Sequence, residues 1–173
     1  DDESVLVLTK GGYVKRTNPS EYKTQKRGGV GVVDLNTKEE DIVTNLLTTS
    51  THSDLLFFTD KGKVYQCKMY EIPEGRRATK GKSIMNFLSM TSDEHVTSVL
   101  PVRKEEWEGE WSLMMVTRQG VVKKSDASAF KDVRRSGLIG ITLKGDDELI
   151  AARFVGKGDE VSLITKAGQA IRF

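Results

Sequence analysis

The chain has little of what several classes of protein require. Its 173 residues include one cysteine, three prolines and two histidines. The single cysteine, Cys67, cannot form an internal disulfide, which argues against a disulfide-stabilised secreted domain and favours a reducing cytoplasm. The histidines, His52 and His95, lack the ligand spacing and the cysteine partners of a zinc site, so the sequence predicts no metal.

Long hydrophobic runs are also missing. The longest unbroken apolar runs have four residues, for example those that begin at Val5, Leu55 and Leu113, whereas a membrane-spanning helix needs about 18. No basic stretch followed by an apolar leader opens the chain, so we expect neither secretion nor membrane association. Because the chain begins with Asp1 and stops inside a strand-like run at Phe173, we expect it to be a piece of a longer protein.

One sequence pattern recurs along the chain. Each copy has an apolar run, then Thr-x-x-Gly, then a short basic or polar strand, and the copies occupy residues 5–16, 55–66, 113–124 and 162–173. In the first three copies a basic, glycine-containing stretch follows, at residues 25–32, 76–84 and 134–141. An acidic cluster then precedes an apolar strand, at residues 39–43, 93–96 and 146–150. Recurrence about every fifty residues is typical of repeat architectures.

Each repeat is predicted to be β structure. The four-residue apolar runs suit strands buried on both faces, and the glycine three places after Thr9, Thr59, Thr117 and Thr165 suits a left-handed hairpin position. About fifty residues with about four strands is the size of a propeller blade. We therefore predict one all-β domain over residues 1–173, with repeats at about 5–54, 55–112, 113–160 and 161–173, the last being the start of a fourth.

The net charge of +2 conceals a repeating distribution. Residues 10–27, 60–82 and 118–135 together carry 19 basic and 6 acidic side chains, whereas residues 34–54, 93–110 and 144–160 carry 6 basic and 16 acidic. In a radial array, equivalent positions form one rim, so the sequence predicts a basic stripe on one edge and an acidic zone elsewhere. Such a stripe suits the phosphates of duplex DNA, although a solvated charged loop is the commoner outcome for any single basic run.

Other motifs are weaker. Residues 75–83 (GRRATKGKS) resemble a phosphate-binding loop, but five residues separate Gly75 from Gly81 where that loop has four. Cys67 has no neighbouring residues typical of a catalytic site, and Trp107 and Trp111 are expected to pack against their own blade. The sequence predicts no catalytic residues.

The first repeat carries QKRGGVGV after LTKGGYVKRTNPSEY, and this closely resembles the C-terminal domain family of the bacterial DNA gyrase A subunit. EYKTQKRGG, YEIPEGRRATKGKSIMNFL and VRRSGLIGITLKGDDELI resemble successive blades of that family. The resemblance implies a β-pinwheel, a propeller-like array of four-stranded blades that exchange strands between neighbours. It also implies wrapping of duplex DNA on a basic perimeter, in support of negative supercoiling by a type IIA topoisomerase.

The resemblance assigns site residues to this chain. The box that marks the family falls on Gln25, Lys26, Arg27, Gly28, Gly29, Val30, Gly31 and Val32. Basic side chains that continue the DNA path are Lys15, Arg16, Lys23, Lys63, Arg76, Arg77, Lys80, Lys82, Arg118, Lys123, Lys124, Arg134 and Arg135. The implied partners are duplex DNA, the rest of the gyrase A subunit, with which this domain is continuous, and the gyrase B subunit. ATP and magnesium serve the whole enzyme, and no cofactor is expected in this chain.

Three alternatives stay open at this point. The topoisomerase IV equivalent has a related domain, although its box is usually degraded and the spacing here is intact. A protein-interaction propeller would use the acidic loops to bind partners. A phosphate-loop enzyme at residues 75–83 would require nucleotide binding or hydrolysis.

Overall fold

A computed structural model describes residues 2–23, 41–156, 162–164 and 170–172. Strands dominate these parts, and one four-residue helix, α1 (Ser20–Lys23), accompanies them. Short 3-10 helices span Met69–Glu71, Ile84–Asn86, Lys104–Glu108 and Ala127–Phe130. The strands are β1 (Glu3–Thr9), β2 (Tyr13–Thr17), β3 (Val43–Ser50), β4 (Asp54–Thr59), β5 (Lys63–Lys68), β6 (Lys82–Ser83), β7 (Val96–Val102), β8 (Trp111–Thr117), β9 (Val122–Asp126), β10 (Leu138–Ile139), β11 (Leu149–Gly156), β12 (Ser162–Ile164) and β13 (Ala170–Arg172).

The Thr-x-x-Gly motif forms the tight turn between the first two strands of each of three repeats. Gly12, Gly62 and Gly120 have φ values of 85°, 80° and 89°, a backbone region in which glycine is favoured. In each turn the glycine N–H donates to the carbonyl of the threonine three places before it, at 3.0 Å. The predicted left-handed hairpin position is therefore confirmed in these three copies. The fourth copy, at Thr165, lies outside the described residues.

The sheets show strand exchange between repeats. Blade 1 has the strand order β3-β1-β2-β6 and blade 2 the order β7-β4-β5-β10, all antiparallel. β6 follows β5 in the chain but pairs with β2, and β10 follows β9 but pairs with β5. The second and third repeats thus each contribute the fourth strand of the preceding blade. In the described part of the chain, blade 3 is formed by β11-β8-β9, and β12 pairs with β13.

The core lies between blades. In β4, Leu55 and Phe57 pack into a cluster with Leu6 and Leu8 of blade 1, while Leu56 and Phe58 pack into a second cluster with blade 3 residues such as Leu113 and Met115. Because side chains alternate between the two faces of a strand, a strand with a blade on each side is apolar at every position. The four-residue apolar run of β4 has this cause.

The last strand of each of the first three repeats (β3, β7 and β11) lies on the side where the repeats meet. β7 contacts both β3 and β11, and the Ala152 N–H of β11 donates to Ser98 Oγ of β7 at 3.2 Å. The opposite side of each sheet is formed by β2 with β6, by β5 with β10, and by β9. We call this side the outer edge.

The acidic, tryptophan-bearing sequence of residues 101–111 (PVRKEEWEGEW) predicts a long loop, but this segment has more regular structure. β7 extends to Val102, the 3-10 helix Lys104–Glu108 follows, and β8 begins at Trp111. Trp107 is buried, and its Nε1–H donates to Asp54 Oδ2 at 2.7 Å. Trp107 therefore packs on its own blade as predicted, whereas Trp111 is 41% exposed. Within the described residues, no helix has the length and apolar character needed to cross a membrane.

Candidate nucleic-acid interface

Exposed basic side chains recur along the outer edge. Lys82 lies on β6, Lys123 and Lys124 lie on β9, and Arg134 and Arg135 precede β10; all five are exposed, as is Arg76 in the segment before β6. Arg77, Lys63 and Lys80 are half-buried, and the Lys80 ammonium lies 3.7 Å from the centre of the Tyr13 ring.

The segment leading into β6 forms a long loop against β2. The Arg16 N–H donates to the Pro73 carbonyl at 3.0 Å, and strand pairing resumes where Lys82 lies opposite Val14. We call the intervening residues 74–81 the exchange loop of blade 1. A turn closes its middle, because the N–H and hydroxyl of Thr79 both donate to the Arg76 carbonyl, at 2.9 and 2.7 Å.

Lys15, which the family resemblance assigns to the DNA path, lies beneath this loop. The residue is only 2% exposed. Its Nζ donates to the carbonyls of Arg76, Arg77 and Thr79, at 3.2, 2.7 and 2.8 Å. An ammonium has three N–H donors, so three bonds to the loop backbone use its capacity and leave none for a phosphate. Lys15 organises the loop instead.

Glu21 holds the same loop through a different backbone group. It lies in α1, is half-buried, and accepts a hydrogen bond from the Arg77 backbone N–H to its Oε2 at 2.6 Å. A cation therefore binds the carbonyls of the loop while an anion binds an N–H. Sequence reasoning missed Glu21, although a signal existed, because Glu21 is the single acid in the first basic window.

The two glycines of the phosphate-loop-like segment allow the loop to pack closely against β2 and against itself. A Cβ on Gly81, where φ is 89°, would lie 2.5 Å from the Val14 carbonyl oxygen, and a Cβ on Gly75 would lie 2.7 Å from Thr79 Oγ1. The segment continues into β6 and the 3-10 helix Ile84–Asn86. A phosphate-binding loop lies between a strand and an α-helix, so this geometry does not match one.

Blade 2 has a much shorter exchange loop. The Gln66 N–H donates to the Arg134 carbonyl at 3.4 Å and Leu138 pairs with Val64, which leaves residues 135–137 as the exchange loop of blade 2. Tyr65 occupies the position on β5 that corresponds to Lys15 on β2. Its ring lies against Gly137, where a Cβ would come within 2.5 Å of Tyr65 Cε1.

Several outer-edge cations also bond to the backbone. Arg135 Nε and Nη2 donate to the carbonyls of Phe87 and Asn86, at 2.6 and 3.1 Å, and Lys123 Nζ donates to the Gly140 carbonyl at 3.0 Å. Arg16 is more fully committed: its side chain is 14% exposed, and it bonds to the Ile72 carbonyl and to Glu74. Arg16 therefore contributes little to an open surface, and its ion pair with the exposed Glu74 contributes little to holding the loop.

The acidic side chains of the recurring landmark lie at the hairpin turns of the blades. Asp41 accepts from Thr9 Oγ1 at 2.6 Å, Glu94 accepts from Thr59 Oγ1 at 2.9 Å, and Asp147 accepts from the Gln119 N–H at 3.0 Å. The recurring acidic landmark thus supplies a carboxylate that binds the Thr-x-x-Gly hairpin of the same repeat. Part of the predicted acidic zone therefore consists of carboxylates that stabilise the hairpin turns.

Arg118 belongs to this acidic end, so the structure does not place it with the outer-edge cations. Its Nη2 donates to the Asp146 carbonyl at 2.8 Å, and its Nη1 lies 3.5 Å from Glu148 Oε2. Lys63 lies close to the same region, because it lines a cleft together with residues 146–148.

Hydrogen bonds keep the carboxylates of Glu94 and Asp147 ionised. Burial raises the pKa of Glu94, but donors from the Thr91 backbone, Tyr65 and Thr59 outweigh it, so the net pKa is lowered. Asp147 follows the same pattern with donors from Thr117, Gln119 and Glu148, and its net pKa is also lowered. The Tyr65 hydroxyl contacts both Glu94 oxygens, at 2.9 and 2.7 Å, and burial together with this carboxylate raises the pKa of Tyr65.

The remaining sequence candidates have simpler outcomes. Residues 25–32, the predicted box, lie outside the described residues, and of Lys23 only the backbone is described. Burial raises the pKa of the Cys67 thiol to about 12, so the thiol is inert. No cluster of three potential metal ligands occurs in the parts of the chain that the structure describes.

Comparison with known proteins identifies the family. Residues 3–50, 53–103 and 112–155 match the family described as the DNA gyrase C-terminal domain, beta-propeller. The DNA gyrase A subunit of Clostridium acetobutylicum is 42% identical over 173 residues, and that of Lawsonia intracellularis is 43% identical over 173 residues. Each alignment covers 100% of this chain and 21% of the relative, so the chain spans about a fifth of the length of these curated relatives.

Solved structures support the fold assignment. A crystal structure of the C-terminal domain of DNA topoisomerase IV matches with a TM-score of 0.77 and 30% identity, over 99% of this chain and 51% of that one. A structure of the DNA gyrase A C-terminal domain matches with a TM-score of 0.76 and 26% identity, over 99% and 54%. The predicted all-β pinwheel and the family resemblance are confirmed: the chain belongs to the DNA gyrase C-terminal domain family of β-propeller folds.

Proposed function

We propose that this chain binds duplex DNA with little sequence preference and wraps it along the outer edge. The observation that carries the proposal is the recurrence of exposed lysine and arginine along the outer edge of successive blades, at Arg76, Lys82, Lys123, Lys124 and Arg134. Cations spaced along an edge can follow the phosphate backbone, and phosphate contacts position a duplex without reading its bases. The helix in the described residues, α1, has four residues, too few for reading a major groove.

The role in supercoiling rests on the relatives. They carry the name of the DNA gyrase A subunit, so we propose that the chain acts within the gyrase A and B subunits of a type IIA topoisomerase. ATP and magnesium would be used by that whole enzyme. A cytoplasmic location follows from the same assignment, and the free, buried Cys67 suits it.

Residues 25–32 enter the proposal through the family resemblance. The box would hold the duplex where its path must turn. Bending 20–30 base pairs by 40–90° costs about 1–6 kcal/mol, and only contacts made in the bent state offset that cost. Loss of the box is therefore expected to reduce wrapping more than it reduces binding.

The first experiment is a salt titration of binding to duplexes of unrelated sequence. Neutralising about 6–10 phosphates lowers affinity by about 10³–10⁵ between 50 and 200 mM salt. Binding that ignores salt, or that prefers one short site, contradicts the proposal. An absence of DNA binding at moderate salt favours a protein-interaction propeller instead.

The second experiment measures wrapping. Nicked circular DNA is ligated in the presence of the parent chain or of a variant with alanine at residues 25–32, and linking numbers are compared. The variant is expected to keep much of its affinity, because residues 60–82 and 118–135 still hold thirteen basic side chains, and to lose most of the linking-number shift. An equal shift from both proteins excludes the box from wrapping.

A further inference from the structure

The exchange loop of blade 1 presents Arg76 and Arg77, yet an acid from the neighbouring repeat contacts its backbone. Glu21 is the single acid among residues 10–27. Its Oε2 accepts from the Arg77 backbone N–H at 2.6 Å. On electrostatic grounds alone, an acid beside a DNA path weakens binding, so its presence there needs another reason.

The loop has an unusual number of backbone N–H and carbonyl groups that need hydrogen-bond partners. Its eight residues bridge a span that three residues cover in blade 2. Three of its carbonyls converge on the Lys15 ammonium, at 2.7 to 3.2 Å, and Glu21 takes the Arg77 N–H. Charged hydrogen bonds are about twice as strong as neutral ones, so these two side chains fix the backbone from which Arg76 and Arg77 project.

We infer that Glu21 and Lys15 are positioning residues for DNA binding: they touch no phosphate, but they hold the exchange loop of blade 1 in the conformation that presents its arginines to the duplex. The inference rests on the proposed function and adds the residues that prepare one part of the interface. Holding the loop in advance removes the cost of ordering it when DNA binds.

Glu21 gives the sharper test, because the two explanations of its role predict opposite signs. If Glu21 is only a negative charge near the path, Glu21→Ala and Glu21→Gln both strengthen binding. If Glu21 is a positioning residue, Glu21→Ala weakens binding, although it removes a negative charge. Glu21→Gln keeps an amide oxygen that can accept from the Arg77 N–H and binds at least as tightly as the parent.

Glu74 provides the matched control in the same loop. Its side chain is 79% exposed and pairs with Arg16. Glu74→Ala removes the same charge as Glu21→Ala without removing an acceptor from the Arg77 N–H, so it is expected to leave affinity unchanged or raised.

The measurement is the dissociation constant for a fluorescent duplex at two salt concentrations, with the 173-residue chain and thermal melts as a check on folding. Glu21→Ala and Lys15→Met are expected to weaken binding about three- to tenfold, equivalent to the loss of one or two phosphate contacts. In an Arg76→Ala, Arg77→Ala background, Glu21→Ala should have no further effect, since the residues it positions are gone.

The outcomes separate this inference from the proposed function. If the parent binds no duplex, both the proposed function and the positioning role are contradicted. If the parent binds and the arginine variant is weakened, but Glu21→Ala binds as tightly as Glu21→Gln, the proposed function stands and the positioning role is overturned. An equal loss from Glu21→Ala in the parent and in the arginine background also overturns it.

Discussion

The two exchange loops differ in what lies beneath them. In blade 1 the loop has eight residues and rests on the Lys15 ammonium, whereas in blade 2 it has three and rests on the ring of Tyr65. Both side chains occupy the same position in the repeat, one residue after the valine at Val14 or Val64. The longer loop turns carbonyls inward and needs donors, while the shorter one needs only an apolar surface.

This difference separates two roles that one repeat position can have. The Tyr65 hydroxyl bonds to the buried Glu94, which also binds Thr59 of the hairpin, so Tyr65 connects the outer edge to the core. The Lys15 ammonium bonds instead to three carbonyls of the exchange loop. Blade 2 uses the position for stability, and blade 1 uses it to shape a surface.

The largest effects are expected where both loops approach a strand through glycine. Gly81→Ala would place a Cβ 2.5 Å from the Val14 carbonyl oxygen, and Gly137→Ala would place one 2.5 Å from the buried Tyr65 ring. Strain at positive φ together with the clash should lower the free energy of unfolding by about 2–5 kcal/mol. Urea denaturation measures the change.

Gly120→Ala is the control for these two variants. Gly120 has the same φ as Gly81, 89°, but nothing lies within 4 Å of its Cβ position. Only the backbone strain remains, so a loss of about 1–2 kcal/mol is expected. Equal losses at Gly81 and Gly120 would show that the exchange loop moves away from β2 at little cost.

Replacing the side chains beneath the two loops should lower the free energy of unfolding by different amounts in the same assay. Tyr65→Phe removes a donor from a carboxylate that is 6% exposed, which should cost about 1.5–3 kcal/mol. Lys15→Met leaves carbonyls that a surface loop can turn toward water, so about 1 kcal/mol is expected. A larger loss from Lys15→Met would place the exchange loop of blade 1 within the cooperative core.

Much of this architecture was predictable from local sequence, since the Thr-x-x-Gly turns, the doubly buried strands and the repeat phase depend on residues close together in the chain. The role of Lys15 was not, because its partners lie more than sixty positions away in the next repeat. A basic residue on a short polar strand is normally solvent-exposed. The exchange loop covers Lys15 only because a strand of the next repeat joins blade 1. The repeating distribution of basic residues does not indicate which side chain that loop covers.

Acid should weaken the hairpin end through Glu94. The pKa of this carboxyl is lowered in the folded chain, so its ionised form stabilises the fold above the ordinary pKa of a glutamate. That stabilisation is lost as the pH falls through the lowered value. Melting temperatures of the parent and of Glu94→Gln, measured from pH 7 to pH 3, should converge toward the acidic end. The melting temperature of Glu94→Gln is still expected to fall somewhat in acid, because the pKa of Asp147 is lowered too. Parallel curves would exclude a contribution from Glu94.

The smallest effect expected is that of one lysine on DNA affinity, and it tests whether binding is confined to the outer edge. Lys82 lies exposed on β6, whereas Lys61 lies exposed in the hairpin turn near Asp93. Lys82→Ala and Lys61→Ala change the net charge equally, so any long-range attraction falls equally.

At 0.1 M salt the Debye length is about 10 Å, and only cations near a phosphate then affect binding strongly. Lys82→Ala should reduce the slope of log affinity against log salt by about 0.9, the value for one lost phosphate contact, and weaken binding a few-fold. Lys61→Ala should leave the slope unchanged. Equal reductions would extend the path of the duplex to the hairpin end. A reduction from Lys61→Ala alone would move the path there, onto the side where Asp41, Glu94 and Asp147 hold the turns.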